Sequence, residues 1–126
     1  MCAGVTLRYQ RSVASGAFSH NTKITSVELP ASLQLLGDGA FAGCDYLTQI
    51  TVSPDNAYYR SIDGVLYSAD GETLIAYPSG RGESYAIPEG VVTVADEAFR
   101  GSERLTTVTF PESLRHIGQL AFCDTL

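Results

Sequence analysis

The side chains that could perform catalysis are few and widely separated in this chain. Its two histidines, His20 and His116, occupy different positions in the repeating pattern described below. We therefore predict no shared acid–base site, because such chemistry needs the two groups within hydrogen-bonding reach. The serine-nucleophile, zinc-protease and phosphate-loop motifs are absent. We therefore predict that the chain is not an enzyme.

The sequence does not predict a cofactor or a metal either. Asp63-Gly64 and Asp70-Gly71 lack the alternating-aspartate spacing of a calcium loop, and turn formation explains both pairs. The Gly80–Gly82 segment has no following Lys or Ser/Thr in register for a phosphate, so we interpret it as a loop. The cysteines form no Cys-x-x-Cys pair, and their odd number cannot form a closed disulfide set. We expect reduced structural thiols at Cys2, Cys44 and Cys123.

The charge of the chain excludes several classes of partner. A net charge of −6 and a pI near 4.7 argue against nucleic acid and anionic membranes, which attract clustered Lys and Arg. No apolar run approaches the ~20 residues that a membrane-spanning helix needs, and the first residues lack the features of a secretory signal. With 44% hydrophobic residues the chain can bury a core.

An alanine–phenylalanine pair recurs at a fixed interval and identifies the elements that must hold any binding residues. The intervals from Phe18 to Phe41 and from Phe99 to Phe122 are both 23 residues. A fixed period of about 20 to 50 residues is typical of a solenoid. Aliphatic residues also recur at matching distances before and after each phenylalanine.

Each repeat divides into two parts. Segments such as "TSVELP" and "TTVTFP" alternate apolar and polar residues, which predicts a strand that ends at proline. A segment such as "ESLRHIGQLAF" follows, and we interpret it as helical or 3₁₀. A single repeat cannot bury both faces, so repeats must stack with like residue on like. Each phenylalanine is then expected to fill the same buried position.

The pattern, most clearly "IPEGVVTVADEAFRGSERLTTVTFPESLRHIGQLAF", resembles the BspA-like leucine-rich repeats, which occur largely in surface proteins of bacteria and some parasitic protists. The resemblance covers roughly residues 13–126. It implies an α/β-type leucine-rich-repeat solenoid of about five turns. A mostly parallel strand ladder would form one face and short helical or 3₁₀ segments the other.

Residues 53–84 interrupt the period. Two β-prone runs flank Asp70-Gly71, and Asp-Gly between such runs is a strong β-hairpin signal. We therefore expect an irregular, hairpin-bearing repeat at about 53–84 within a single domain of residues 1–126. The chain stops partway through a repeat, so we also expect it to be a fragment of a longer array, or to associate end to end through uncapped repeat ends.

Two groups of exposed residues could bind a partner. The first is two rows on the stacked strands, comprising Ser26, Gln49, Ser84 and Thr107 in one row and Glu28, Thr51, Ala86 and Thr109 in the next. Small polar residues also suit any exposed sheet, so this pattern fits an inert surface equally. The second group is the tyrosines in or beside the hairpin, which suit either an interface or the attachment of the hairpin: Tyr58, Tyr59, Tyr67, Tyr77 and Tyr85.

These observations predict a non-enzymatic protein-binding or adhesion module, and the alternative is an inert spacer that projects another domain. The family resemblance implies a cell-surface or secreted bacterial protein, hence an extracellular or cell-surface location. The expected partner is a protein such as a host or matrix protein.

Overall fold

The computed structural model describes residues 3–125, and in this range every regular element is a strand. The strands are β1 (Ala3–Thr6), β2 (Ser12–Val13), β3 (Ile24–Leu29), β4 (Leu35–Leu36), β5 (Gln49–Val52), β6 (Tyr59–Ile62), β7 (Val65–Ser68), β8 (Thr73–Ala76), β9 (Ser84–Ala86), β10 (Thr93–Val94), β11 (Thr107–Thr109) and β12 (His116–Ile117).

Most of these strands pair in parallel with the equivalent strand of the next repeat, as expected for a solenoid. The longer strands form the ladders β1-β3-β5 and β9-β11. The two-residue strands form the ladder β2-β4 and, with the four-residue strand β8, the ladder β8-β10-β12. The chain is a β-solenoid of about five turns, in which each turn contributes one layer.

The prediction of helical or 3₁₀ segments is wrong, because within residues 3–125 these segments form successive tight turns. The residue two before and the residue two after each core phenylalanine have positive φ, whereas a helix needs negative φ throughout. In the second layer these are Gly39 (67°) and Gly43 (70°). The other pairs are Gly16 and His20, Glu97 and Gly101, and Leu120 and Asp124.

Backbone hydrogen bonds between layers replace those of a helix. The N–H of Phe18 donates to the Ala40 carbonyl at 2.8 Å, and the N–H of Phe99 donates to the Ala121 carbonyl at the same distance. These bonds hold each turn against the next layer, so the turn side of the solenoid is hydrogen-bonded between layers as the strand side is.

Aromatic rings stack in the core as predicted, but in two groups, one in the first and second layers and one in the third to fifth layers. The rings of Phe18 and Phe41 lie parallel with centroids 5.5 Å apart, and those of Phe99 and Phe122 lie 4.7 Å apart. Phe41 and Phe99 are buried, with exposures of 2% and 0%. The sequence pattern did not identify Tyr77, which takes the aromatic position of the third layer and stacks on Phe99 at 4.9 Å.

The hairpin predicted at Asp70-Gly71 is confirmed, since β7 and β8 pair antiparallel around it. The Asp70 carboxylate closes the turn by accepting hydrogen bonds from the Glu72 N–H at 2.9 Å and the Ser68 hydroxyl at 2.6 Å. An additional strand, β6, pairs antiparallel with β7 across the Asp63-Gly64 turn. Asp63 has φ of 52° and Gly64 of 82°, so this turn is left-handed at both residues.

Candidate protein-binding face

The strand face consists of the solvent-facing residues of β1, β3, β5, β9 and β11. In β3 and β5 the predicted rows are present, because Ser26 lies beside Gln49 and Glu28 beside Thr51. The residue between the two rows, Val27 in β3, points inward and is 1% exposed. Alternation along the strand thus separates a polar outer surface from the core, as a half-buried sheet requires.

The same arrangement recurs in β9 and β11. Ser84 lies beside Thr107, and Ala86 beside Thr109. These four residues are exposed, whereas Tyr85 between the two rows of β9 is half-buried.

The hairpin of β6 and β7, which turns at Asp63-Gly64, divides the strand face into two blocks. The Ile50 N–H of β5 donates to the Gly64 carbonyl at 2.8 Å, and the Ser61 hydroxyl donates to the Ile50 carbonyl at 2.6 Å. The Asp63-Gly64 turn therefore borders β5 where the regular period would bring the next strand. Gly64 has φ of 82°, which favours glycine, and a Cβ there would also lie 3.2 Å from Gln49 Cγ and 2.7 Å from an Arg81 guanidinium nitrogen. The two rows are not continuous from β5 to β9.

Arg81 joins the hairpin to the loop before β9, a role that its Gly-Arg-Gly context does not indicate. Its guanidinium donates to the Asp63 carboxylate at 2.8 Å and to the Thr48 carbonyl at 3.4 Å. The Arg81 side chain is 23% exposed and that of Asp63 is 84% exposed. The exposed member of this pair is therefore the carboxylate.

The tyrosines near the hairpin separate into core and surface residues. Tyr67 and Tyr77 are buried, with exposures of 0% and 2%, so neither offers a surface to a partner. The Tyr67 hydroxyl shares a hydrogen bond with that of Tyr85, and burial raises the pKa of both groups. Tyr58 is 51% exposed. Tyr59 is half-buried, and its hydroxyl donates to the Gln34 carbonyl at 3.3 Å.

The turn side carries a shallow depression of about 300 Å³ between the second and fourth layers. Desolvation, followed by the neighbouring Asp96 and Glu97 carboxylates, raises the pKa of Asp38 at its rim. Arg100 offsets part of this negative charge through a 2.5 Å contact with Glu97. Residues of the first, second and fourth layers line the depression, and no residue of the third layer does.

Across residues 3–125, no group of three or more His, Cys, Asp and Glu side chains has the placement to hold a metal ion. His20 lies against Gly43 on the turn side, whereas His116 lies in β12. Cys44 is buried and free, and its thiol contacts the Phe18 carbonyl at 3.0 Å. Cys123 is also free, and Cys2 lies outside the described residues. No helix in the described part of the chain has the length and apolar character needed to cross a membrane.

Comparison with known proteins identifies the repeat. The family described as "BspA type Leucine rich repeat region" matches residues 8–64 and 76–125, with six copies of its repeat. The chain belongs to this family. No curated protein matches the chain. Between the two matched ranges, residues 65–75 are unmatched and comprise β7, the Asp70-Gly71 turn and most of β8, so the family pattern lapses within the hairpin of this BspA-type chain.

Solved structures share the fold of this BspA-type chain. A leucine-rich repeat protein from Eubacterium ventriosum is 24% identical, with a TM-score of 0.88 over 96% of this chain and 33% of its own. The pneumococcal vaccine antigen PcpA is 32% identical, with a TM-score of 0.84 over 92% of this chain and 29% of its own. A leucine-rich cell surface protein from Faecalibacterium prausnitzii is 33% identical, with a TM-score of 0.71 over 95% and 38%. The chain thus spans about a third of the length of these proteins.

Proposed function

We propose that this BspA-type repeat unit is a non-enzymatic protein-binding and adhesion module of a cell-surface or secreted bacterial protein. The observation that carries the proposal is the strand face, where outward-facing side chains, most of them polar, form ordered pairs between neighbouring strands above inward-facing apolar residues. Solenoids commonly use such an extended, rigid surface to bind partners.

The similar proteins support the cellular context of the proposal. One of them is described as a leucine-rich cell surface protein and another as a vaccine antigen. We infer from these descriptions that the chain works outside the cell and meets a host or matrix protein there.

The test is to place a bulky charge on each block of the strand face. Thr51→Arg lies on β5 and Thr109→Arg lies on β11, and both leave the inward residues unchanged. The matched control is Gln119→Arg, which puts the same side chain on an exposed turn of the opposite side. Binding would be measured to intact host cells and to a panel of purified matrix proteins.

The proposal predicts at least about a tenfold loss of binding for one or both strand-face variants, the size expected when an interface position is blocked. The control variant should bind like the unmodified protein. All three should keep the unmodified melting temperature. If no probe binds, or if the strand-face variants bind like the control, the chain is a spacer that projects another domain.

A further inference from the structure

The edge of β9 that faces away from β11 is an unpaired strand edge in the middle of the strand face. The Thr107 N–H donates to the Glu83 carbonyl at 3.1 Å, and the Ile87 N–H donates to the Thr109 carbonyl of β11 at 2.9 Å. Backbone groups of a strand in a parallel ladder alternate between its two edges. The N–H and C=O groups of Ser84 and Ala86 therefore point to the opposite edge.

These four backbone groups have no protein partner within residues 3–125. There β9 pairs with β11 alone, and no backbone or side-chain hydrogen bond engages the outward edge at Ser84 or Ala86. Both residues are exposed. An unpaired row of this kind is a template for another strand.

The hairpin covers the edge of β5 and leaves the edge of β9 open. Gly64 and Ser61 satisfy the Ile50 backbone groups, as described above. No strand of the hairpin pairs with β9, so a depression of about 400 Å³ remains beside it. The residues that line this depression are Asp63, Arg81, Ser84, Tyr85, Ala86 and Thr109. The side chains on the β9 edge are small, which leaves room for an added backbone.

The charge at the depression favours a cationic side chain. The Arg81 guanidinium is already held by Asp63 and by the Thr48 carbonyl, while the Asp63 carboxylate stays 84% exposed. Glu83, next to the open edge, is also exposed, and the chain as a whole carries −6. A basic side chain therefore complements this site better than an acidic one.

We propose that the open edge of β9 binds an extended segment of a partner protein by strand addition, with a basic side chain of that segment on Asp63. The inference rests on the proposed function and names the class of partner for the strand face. In this mode main-chain hydrogen bonds supply the affinity, while the alternating side chains supply the specificity.

The probe is the acetylated and amidated peptide Thr-Lys-Val-Thr-Val-Thr, titrated into the complete chain and followed by NMR. In the free protein the Ser84 and Ala86 amides should exchange with solvent much faster than the Tyr85 and Ile87 amides. The peptide should slow exchange at Ser84 and Ala86. The same peptide with every backbone amide N-methylated should not bind, because it keeps the side chains and loses the donors.

Two variants test the site from the protein side. Ser84→Pro removes an N–H that donates to no acceptor within residues 3–125, and the proline ring blocks the edge. We therefore expect peptide binding to weaken at least about tenfold while the fold is kept. Asp63→Asn keeps a residue type that tolerates positive φ. This variant should bind the lysine peptide more weakly than the unmodified protein does. It should bind a peptide with Ser in place of Lys with unchanged affinity.

Several results would overturn the inference. They are equal binding by the N-methylated peptide, protection of the Ser84 and Ala86 amides in the free protein, or self-association of the chain through this edge. Failure here leaves the proposed function intact if Thr51→Arg still abolishes binding to host cells or matrix proteins. The proposed function fails instead if neither Thr51→Arg nor Thr109→Arg changes the binding to host cells and matrix proteins.

Discussion

Replacing Phe99 by alanine should destabilise the protein more than the same change at any other ring of the stack. Phe99 is fully buried, and its ring lies between Tyr77 at 4.9 Å and Phe122 at 4.7 Å. A buried Phe→Ala change costs about 3–5 kcal/mol. Because Phe99 loses two stacked neighbours, we expect a loss at the upper end, about 5 kcal/mol.

Phe41→Ala and Phe110→Ala are matched comparisons for this prediction. Phe41 is 2% exposed but stacks on one ring, Phe18, at 5.5 Å. Its loss should cost about 1 kcal/mol less than that of Phe99, since a stacked pair contributes about 0.5–1.5 kcal/mol. Phe110 is 48% exposed and meets Phe122 edge-on, so its truncation should have the smallest effect of the three.

The assay is urea unfolding followed by far-UV circular dichroism, with the free energy of unfolding extrapolated to water. The slope against urea should be unchanged, so that the midpoints report stability. The layered core would be refuted if Phe99→Ala cost no more than Phe110→Ala. Equal losses for Phe99→Ala and Phe41→Ala would refute the specific contribution of stacking.

The core tyrosines and the acidic rim give three further predictions. Tyr77→Phe should leave the free energy of unfolding unchanged or raise it by about 1 kcal/mol, because the buried Tyr77 hydroxyl has no protein partner in the described residues. Tyr67→Phe should lower the free energy of unfolding by about 1 kcal/mol, because it removes the hydrogen bond to the Tyr85 hydroxyl. Asp38→Asn should raise the melting temperature at about pH 7. Since its pKa is raised on folding, protonation favours the folded state, so this gain should vanish below the unfolded pKa of ~4. Calorimetry would compare the stability of each variant with that of the unmodified protein. A stability change of the opposite sign would contradict the expectation for that variant.

The buried phenylalanines and the parallel ladder could be predicted from sequence because both follow from one period. Every layer needs the same large ring at the same place, so Phe18 and Phe41 reveal their own stacking. The period fails at the third layer, where the hairpin lengthens the chain between Phe41 and Tyr77 and a tyrosine replaces the phenylalanine. The spacing alone could not assign Tyr77 to the stack.

The turns cannot be distinguished from helical segments by sequence, because much of their geometry leaves no sequence signal. Glycine marks positive φ at Gly39 and Gly43, but the equivalent positions of the fourth and fifth layers include Glu97 and Leu120. Bonds to the next layer, such as Glu97 N–H to Gln119 O at 2.9 Å, help to hold these residues there. Tertiary contacts thus override local preference.

The division of the strand face could not be read from the sequence for a related reason. The sequence predicts a turn at Asp63-Gly64, but the position of this turn against β5 depends on contacts with Ile50 and Arg81, which are distant in sequence from one another. The open edge of β9 follows from that placement, so no sequence motif marks the residues of this edge.

The strand face and the open edge of β9 both depend on the layers that the stacked rings hold together. The most direct test is a nuclear Overhauser experiment with ring-labelled Phe and Tyr. The account predicts strong cross-peaks from the Phe99 ring to the rings of both Tyr77 and Phe122, whose centroids lie within 4.9 Å. Cross-peaks to neither ring, with Phe99 shifts typical of a solvent-exposed phenylalanine, would contradict it.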